Sequence, residues 1–368
     1  MMNKTARVAG SRTWPGVLPV LLAVTLLSFS GVLLAQIIEN PAKPKAENAG
    51  RVLKLTEVWK ITDDGGEFFF KYPNYLQIAE DGSVFVVDSN EFLKFSPDGK
   101  FLRNIYKKGQ GPGELGDYFL YFVYGRELFI QDFNSHRFWR ADFDGVFQDQ
   151  INLANKDYND FVGVVPDGFL FMKQVLPPPS ERTGKLMEII HTVAVIARDG
   201  SFRREVATFK PKTFLGYQAG MGWDNSITKL GADSKLLFAL HSRDYLIEIV
   251  DLASGTIVKR FGRAYPKVPH IEKEYEPDFR KRTGAPKIEF ESDVENLYPV
   301  GDRLWVETST DDKAKGRLID VFDKDGRFID SFYLGAGRTL MAVREDAVFC
   351  REKNEDETIT IVKYRIER

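Results

Sequence analysis

Residues 75–106 read YLQIAEDGSVFVVDSNEFLKFSPDGKFLRNIY, four short segments in which apolar and polar residues alternate. The turns Asp81-Gly82 and Asp98-Gly99 separate the segments of the first and second pairs. Asp-Gly between alternating apolar runs is typical of a tight hairpin, because both residues tolerate a positive φ. A short link at residues 88–90 joins the two pairs. The stretch therefore predicts a four-stranded antiparallel meander.

The same unit recurs along the chain. Three of its spacings are about 45 residues, which is typical of four-stranded propeller blades, and the two longer spacings contain insertions that we assign to loops. The first turn of each unit lies near Asp81, Gly125, Asp167, Asp233, Gly301 and Asp346.

The two ends of the chain complement each other. Residues 52–61 (VLKLTEVWKI) form a spare strand, whereas the sixth unit ends in TITIVKYRIER at residues 358–368 and lacks a fourth strand. Pairing the two would close the ring and cover two exposed sheet edges. A seventh blade would need residues 263–296, which are too charged and too proline-rich for strands. The predicted fold is all-β, a six-bladed β-propeller over residues 52–368 that is closed by an N-terminal strand.

Residues 81–115 (DGSVFVVDSNEFLKFSPDGKFLRNIYKKGQGPGEL) resemble the NHL and TolB-like six-bladed propellers of exported bacterial proteins. The segment KGQGPGE at residues 108–114 resembles an element of uncharacterised members of that group. The resemblance implies the ring fold, with ligands bound on the face that carries the connections between blades. It implies little about activity, because propellers host many unrelated functions.

The N-terminus resembles an export signal. Lys4, Arg7 and Arg12 precede an uncharged run at residues 17–35, VLPVLLAVTLLSFSGVLLA. This order predicts a signal peptide over residues 1–35 and an exported protein, periplasmic or extracellular. The alternative is an uncleaved membrane anchor, since the run approaches the length that spans a bilayer. Residues 36–51 are rich in Pro, Ala, Lys and Asn and are predicted to be a flexible linker.

Composition excludes several classes of protein. The 51 basic and 53 acidic residues nearly balance, which argues against nucleic acid as a partner and against a polybasic membrane-binding patch. The single cysteine, Cys350, excludes an internal disulfide and is expected to be buried in a strand. We expect a monomer whose stability comes from burial alone.

The candidate site residues lie in the longer loops, which include insertions at about residues 174–191 and 263–296. Imidazoles titrate near neutral pH and bind metals, so the histidines are candidates for a metal or acid–base site. No HxH or HExxH spacing occurs, however, and histidine is also common in loops that have no catalytic or metal-binding role. The 263–296 insertion is interpreted either as a lid or as a solvated excursion. The candidates for ligand binding are Glu114, Asp132, His136, His191, Trp223 and His241, with His270 nearby.

Two sequence features have competing interpretations. The GQGPGE segment lacks the GKS or GKT of a phosphate loop, so its glycines are interpreted as a tight chain reversal in which Glu114 accepts backbone hydrogen bonds or faces the channel. In lactonase propellers, acidic and amide side chains at inner strand ends hold a divalent metal. The equivalent residues here are Asp88, Asn90, Asp132 and Asn134, which also fit ordinary turn chemistry.

Three functions remain open on the sequence alone. The first is a binding module for a peptide, glycan or partner protein of the cell envelope, since no GxSxG, HExxH or CxxC motif is present. The second is a lactonase-like hydrolase or lyase that uses a divalent metal, the one cofactor considered. It predicts that some of His136, His191, His241, Asp132 and Glu114 converge. The third is a structural subunit of an envelope assembly.

Overall fold

The computed structural model describes residues 37–62, 66–182, 184–216, 220–354 and 356–367. The predicted signal peptide, residues 1–35, lies outside the described residues. Regular structure in these ranges is nearly all β, as the sequence predicts, with one α-helix and one 3-10 helix. Within the same ranges no helix has the length and apolar character needed to cross a bilayer.

Three N-terminal strands pair with strands that lie far along the chain. Two of them fall within or at the end of residues 36–51, which the sequence predicts to be a flexible linker, so the structure differs there. Buried Asn40 explains the order, because its Nδ2 donates to the carbonyls of Gly262 (2.9 Å) and Gly326 (2.8 Å). A single anchoring side chain leaves no periodicity to detect. The strands are β1 (Ile37–Asn40), β2 (Arg51–Val52) and β3 (Leu55–Ile61).

Two meanders follow, in which each strand pairs antiparallel with the next. The first confirms the meander predicted from residues 75–106, and Gly82 and Gly99 take positive φ values of 87° and 81° in its turns. Their strands are β4 (Pro73–Ile78), β5 (Val84–Asp88), β6 (Glu91–Phe95) and β7 (Phe101–Asn104), then β8 (Phe119–Tyr124), β9 (Glu127–Asp132), β10 (Arg137–Asp142) and β11 (Phe147–Ile151).

The third meander is interrupted by two excursions that pair with each other. Its segment contains β12 (Asp160–Val165), β13 (Gly168–Val175), a 3-10 helix (Pro179–Glu181), β14 (Lys185–Glu188), β15 (Ile190–Ala197), β16 (Phe202–Phe209), β17 (Lys212–Leu215) and β18 (Gly220–Gly222). The meander has the order β12-β13-β15-β16, and β14, β17 and β18 form a separate sheet. The sequence does not predict this sheet, because strands of three or four residues carry little periodicity.

The last three meanders take up the N-terminal strands. Their elements are β19 (Ile227–Leu230), β20 (Leu236–Leu240), β21 (Ile247–Asp251), β22 (Thr256–Arg263), α1 (Glu276–Thr283), β23 (Val294–Val300), β24 (Arg303–Asp312), β25 (Gly316–Asp323), β26 (Phe328–Tyr333), β27 (Arg338–Arg344), β28 (Ala347–Lys353) and β29 (Ile359–Ile366). Strand β1 lies parallel to β22, and β2 lies parallel to β26. Strand β3 pairs antiparallel with β29, which is the pairing that the sequence predicts. Helix α1 lies within the 263–296 insertion.

The first strands of the meanders lie at the centre of the protein. They touch in the order β4, β8, β12, β19, β23 and β27, and β27 in turn touches β4. Apolar side chains fill the space between neighbouring sheets, as where Phe92 packs on Tyr121 at 4.4 Å between ring centroids. Cys350 is fully buried in β28, as predicted. The arrangement is of the propeller type.

Candidate functional site

A cavity of about 1240 Å³ lies between the six first strands. It exceeds the roughly 300–1,000 Å³ of common small-molecule pockets. Its walls combine apolar side chains, such as Phe122, Leu297 and Met341, with polar ones. The charged side chains that line it are Glu80, Asp160, Lys229, Glu295, Glu307, Arg317 and Arg351.

Asp160 is the first residue of β12, and its side chain lines the cavity. Its carboxylate has no hydrogen-bond or ion-pair partner among the described residues. Burial raises the pKa of this carboxyl to about 6, because the cavity walls replace part of its hydration shell. The carboxyl is therefore half-ionised at about pH 6 and mostly ionised at pH 7, and a ligand cation would favour the charged form further.

Lys229, in β19, is the basic counterpart of Asp160. Its ammonium also lacks a partner in the described part of the chain. The side chain is accessible to water, yet protein surrounds it on most sides, so it faces water confined in the cavity. This burial lowers the pKa of the ammonium, because the charged form is less well hydrated there.

Glu295 is a second unpaired acid of the cavity wall. It lies at the irregular pairing between Val294 and Asn296 of β23. Burial raises the pKa of its carboxyl, and the positive charge of Arg317 opposes the rise. No hydrogen bond to this carboxylate is found within the described ranges.

Other charged groups of the cavity wall have partners. The Tyr298 hydroxyl donates to Glu307 Oε2 at 3.0 Å, and Arg317 Nε lies 3.8 Å from Glu307 Oε1. Arg351 donates to the Pro73 carbonyl at 3.3 Å. These contacts hold wall side chains in place, so the groups left for a ligand are Asp160, Lys229 and Glu295 in the strands, together with the exposed Glu80 at the turn after β4.

Sequence reasoning missed the three residues in the strands. It placed the site in loops, whereas these three lie in short central strands. A signal was present, since each is a charged residue in an otherwise largely apolar strand: DFVGVV, ITKL and VENLYPV. A charged residue in a central strand needs either a partner or a cavity that admits water.

A second cavity of about 520 Å³ lies at the glycine-rich segment, and of the candidate residues there Asp132 lines it. Asp132 is fully buried and accepts from Ser135 Oγ at 2.6 Å and from the Asn134 amide at 3.0 Å. Arg137 donates to the Gln110 carbonyl at 2.8 Å. Glu114 Oε2 accepts from the Gly111 amide at 2.8 Å, which agrees with the backbone-bonding interpretation. These polar groups satisfy one another and shape the chain reversal.

The lactonase-like positions have similar structural contacts. Asp88 is buried and accepts from the backbone amides of Lys71 (2.6 Å) and Tyr72 (2.8 Å). Asn134 Oδ1 accepts from the Tyr118 amide at 2.9 Å. Asn90 is exposed in the turn before β6. The contacts at Asp88 and Asn134 are those of ordinary turn chemistry.

Two of the four histidines contact each other. The rings of His191 and His241 lie 5.5 Å apart at 84°, and His241 stacks on Phe209 at 4.2 Å. His191 Nδ1 and His241 Nε2 are buried without a partner in the described ranges. Burial, followed by repulsion from His191, lowers the pKa of His241 to about 3. Both rings are therefore neutral at physiological pH.

The other histidines and Trp223 lie elsewhere. His136 is exposed, with a φ of 52°, in the turn between β9 and β10. His270 contacts Glu276 and Glu291, each at 2.8 Å, and the hydrogen bond to Glu276 is the main cause that raises its pKa. Arg243 stacks over Trp223 at 5.0 Å and donates to its carbonyl.

The predicted metal site is not assembled in the described part of the chain. No three His, Cys, Asp or Glu side chains there come together in a way that could hold a metal ion. His191 and His241 meet, but Glu114, Asp132 and His136 belong to the segment around β8–β10. The residues present do not fit the divalent ion of a lactonase-like enzyme.

No protein-family model and no curated protein matches this chain. Among solved structures, a protein of Bacteroides fragilis named as exported aligns with a TM-score of 0.57 and 14% identity, over 90% of this chain and 100% of that chain. A DUF4221 member of Bacteroides vulgatus aligns at 0.49 with 9% identity, over 86% of this chain and 99% of that chain. A gluconolactonase of Xanthomonas campestris aligns at 0.43 with 13% identity, over 88% and 99%. The likeness to the first concerns the fold and not the activity.

Proposed function

We propose that this chain is an exported, six-bladed β-propeller of the NHL/TolB-like kind that acts as a binding module for a peptide, glycan or partner protein in the cell envelope. One observation carries the proposal: Asp160, Lys229 and Glu295 line a cavity of about 1240 Å³ without a partner among the described residues. Lys229 and Glu295 remain accessible to water, whereas Asp160 is only partly so, and an unpaired charge with reduced hydration destabilises a fold. A ligand that pairs with them would account for their presence.

The strand contacts support the ring. Each of the six first strands touches the next, β27 touches β4, and β3 pairs with β29. Export is supported by the basic residues ahead of the apolar run at 17–35, and the B. fragilis protein of similar fold is also named as exported.

Native mass spectrometry of the full chain tests the proposal. The ligands are a tripeptide library, an oligosaccharide library and an envelope extract, each offered to the wild type and to an Asp160→Asn, Lys229→Met double variant. We expect at least one class to be retained by the wild type and lost by the double variant. Equal retention by both proteins, retention of nothing, or turnover of an added lactone with divalent ions would each contradict the proposal.

A further inference from the structure

Three exposed tyrosines belong to neighbouring central strands or directly precede them. Tyr72 immediately precedes β4, Tyr75 is the third residue of that strand, and Tyr118 immediately precedes β8. Strand β4 touches β8, and β8 touches β12, which begins at Asp160. All three tyrosines are more than half exposed, and Tyr72 and Tyr75 line the central cavity. The cavity therefore has aromatic surface in addition to its unpaired charges.

Tyr75 is held in a backbone conformation that aromatic residues rarely adopt. Its φ is 47°, at the irregular pairing between Asn74 and Gln77 of β4. The hydroxyl of the buried Tyr121 contacts its carbonyl oxygen. A bulge of this kind redirects a side chain, and such strain persists where the surrounding fold enforces it. The fold thus keeps Tyr75 out of the packing between sheets, in agreement with its exposure.

The side chain of Tyr75 lies near Asp160 but has no contact of its own. Within the described ranges its hydroxyl has no hydrogen-bond partner and its ring has no stacking partner. Burial, then the proximity of the Tyr118 hydroxyl and the Asp160 carboxylate, raises the pKa of Tyr75. Tyr75 and Asp160 both line the cavity. An aromatic ring and a carboxylate are therefore available together to a ligand.

The other two tyrosines are each supported on one face. The Arg351 guanidinium lies 4.2 Å from the ring centroid of Tyr72, and Tyr118 stacks on Phe133 at 4.7 Å and 29°. The remaining surface of each ring accounts for its exposure. Rings that are already ordered lose little conformational freedom when a ligand binds, so they suit a stacking contact.

The unpaired charges of the cavity have both signs. Glu80, Asp160 and Glu295 are acids and Lys229 is a base, and none has a side-chain partner in the described part of the chain. A hydroxyl donates to a carboxylate and accepts from an ammonium. A ligand with hydroxyls around its whole edge can thus pair with all four groups wherever they lie along the cavity, and it needs no charge of its own.

We propose that the cavity binds a short neutral oligosaccharide, with one sugar ring stacked on Tyr75 and its hydroxyls bonded to Asp160. This inference rests on the proposed function and names its ligand class. The face of an aromatic ring is apolar and carries partial negative charge, which suits the C–H face of a sugar. Hydrogen bonds to ionised groups are about twice as strong as neutral ones. Three unpaired acids against one base disfavour an anionic sugar.

Native mass spectrometry of the full chain with three libraries tests the inference. The first contains neutral disaccharides and trisaccharides, the second contains the same lengths with uronic acid units, and the third contains tripeptides. We expect the neutral library to be retained at least about tenfold better than either of the others. Equal retention of the neutral and uronic libraries overturns the inference.

Variants of the aromatic surface test the stacking contact. Tyr75→Ala should weaken retention of the neutral library about tenfold, and Tyr75→Phe, which keeps the ring, should restore most of it. Tyr118→Ala, on the neighbouring strand, should weaken retention by a smaller factor. Tyr275→Ala is the matched control, because Tyr275 is equally exposed but lies in the 263–296 insertion and does not line the cavity. Unchanged retention by both Tyr75→Ala and Tyr118→Ala overturns the inference.

The outcomes separate this inference from the proposed function. Retention of tripeptides or of an envelope component, without any sugar, overturns the oligosaccharide inference and leaves a binding function. Retention of no sugar, peptide or envelope component overturns both.

Discussion

Two polar regions of this protein differ in how their charges are paired. In the glycine-rich corner, residues 108–117 with 132–137, buried Asp132 accepts hydrogen bonds from Ser135 and backbone amides, and Arg137 donates to backbone carbonyls. In the central cavity, Asp160 and Lys229 have no partner among the described residues. Both regions contain residues typical of a site. Of the two regions, the cavity is the one in which charged side chains have no partner among the described residues, so that a ligand could pair with them.

The difference shows that residue type is a weaker guide to function than pairing. A satisfied cluster stabilises the fold, and removing one member leaves the others without a partner. An unsatisfied group in a cavity costs stability, so neutralising it should strengthen the fold at the expense of binding. The two regions should therefore respond to substitution with opposite signs.

The largest effect is expected in the glycine-rich corner. Asp132→Ala removes a fully buried acceptor of several hydrogen bonds and leaves Arg137 without its carboxylate. We expect the free energy of unfolding to fall by about 3–5 kcal/mol, measured by chemical denaturation. The control is Asp149→Ala, which breaks an exposed ion pair with Arg140 and should cost less than about 1 kcal/mol. Equal losses in the two variants would contradict the comparison.

The histidine pair tests whether a buried, unpaired group outside the cavity also limits stability. The folded-state pKa of His241 is about 3, below its ordinary 6.5, so between these values the unfolded chain binds the extra proton. The free energy of unfolding therefore falls as the pH drops from about 6.5 toward 3. His241→Phe, which keeps the stacking on Phe209, should lose about 3 kcal/mol less than the wild type between pH 7 and pH 4.

Denaturation curves at each pH measure this difference. His136→Gln is the control, because His136 is exposed and should leave the pH profile unchanged. Parallel pH profiles for His241→Phe and the wild type would show that the pair does not limit stability in acid.

In the cavity, substitution is expected to raise the free energy of unfolding, the opposite of the loss expected in the glycine-rich corner. The pKa of Asp160 is raised to about 6 from 3.8, so this carboxyl favours folding below the lower value and loses that contribution as the pH rises through 6. At pH 7, Asp160→Asn should raise the free energy of unfolding by about 1–2 kcal/mol, and Lys229→Met should raise it by less, because the ammonium is exposed to water. Below pH 4 the gain from Asp160→Asn should vanish. A loss of stability at pH 7 would mean that Asp160 has a structural partner.

The smallest effect is expected at His136. This residue takes a φ of 52° on the exposed edge of the glycine-rich corner. Glycine would adopt this φ without strain, which favours the folded state. Glycine would also give the unfolded chain more conformational freedom, which favours the unfolded state. The two terms oppose each other, so His136→Gly should change the free energy of unfolding by less than about 0.5 kcal/mol. A loss above about 1 kcal/mol in denaturation would give His136 a structural role in the corner.

Much of the fold could be predicted because turns and strand alternation are local signals. Asp81-Gly82 and Asp98-Gly99 identified the first meander, and the missing fourth strand of the last unit identified β3 as the partner of β29. Strand β1 could not be predicted in this way. This strand is held in place by hydrogen bonds from Asn40 to carbonyls more than two hundred residues away in the sequence, and no local pattern reveals such bonds.

The site could be predicted less well. The sequence shows that Asp132 and Asp160 both lie at strand ends, but it does not show which one finds donors and which one faces a cavity. That depends on Ser135 and on the amides of the following turn in one case, and on six strands from distant parts of the chain in the other. Pairing is a tertiary property, so the candidates chosen by residue type were mainly the satisfied ones.

The most direct test of the account is the pKa of Asp160, followed by carboxyl-carbon NMR of Asp-labelled protein with Asp160→Asn for assignment. A carboxylate that is unpaired in the cavity should titrate at a pH of about 6, and this signal should be absent from the variant. A value near the ordinary 4 would show that Asp160 is hydrated or paired like Asp132, and the distinction between the two regions would fail.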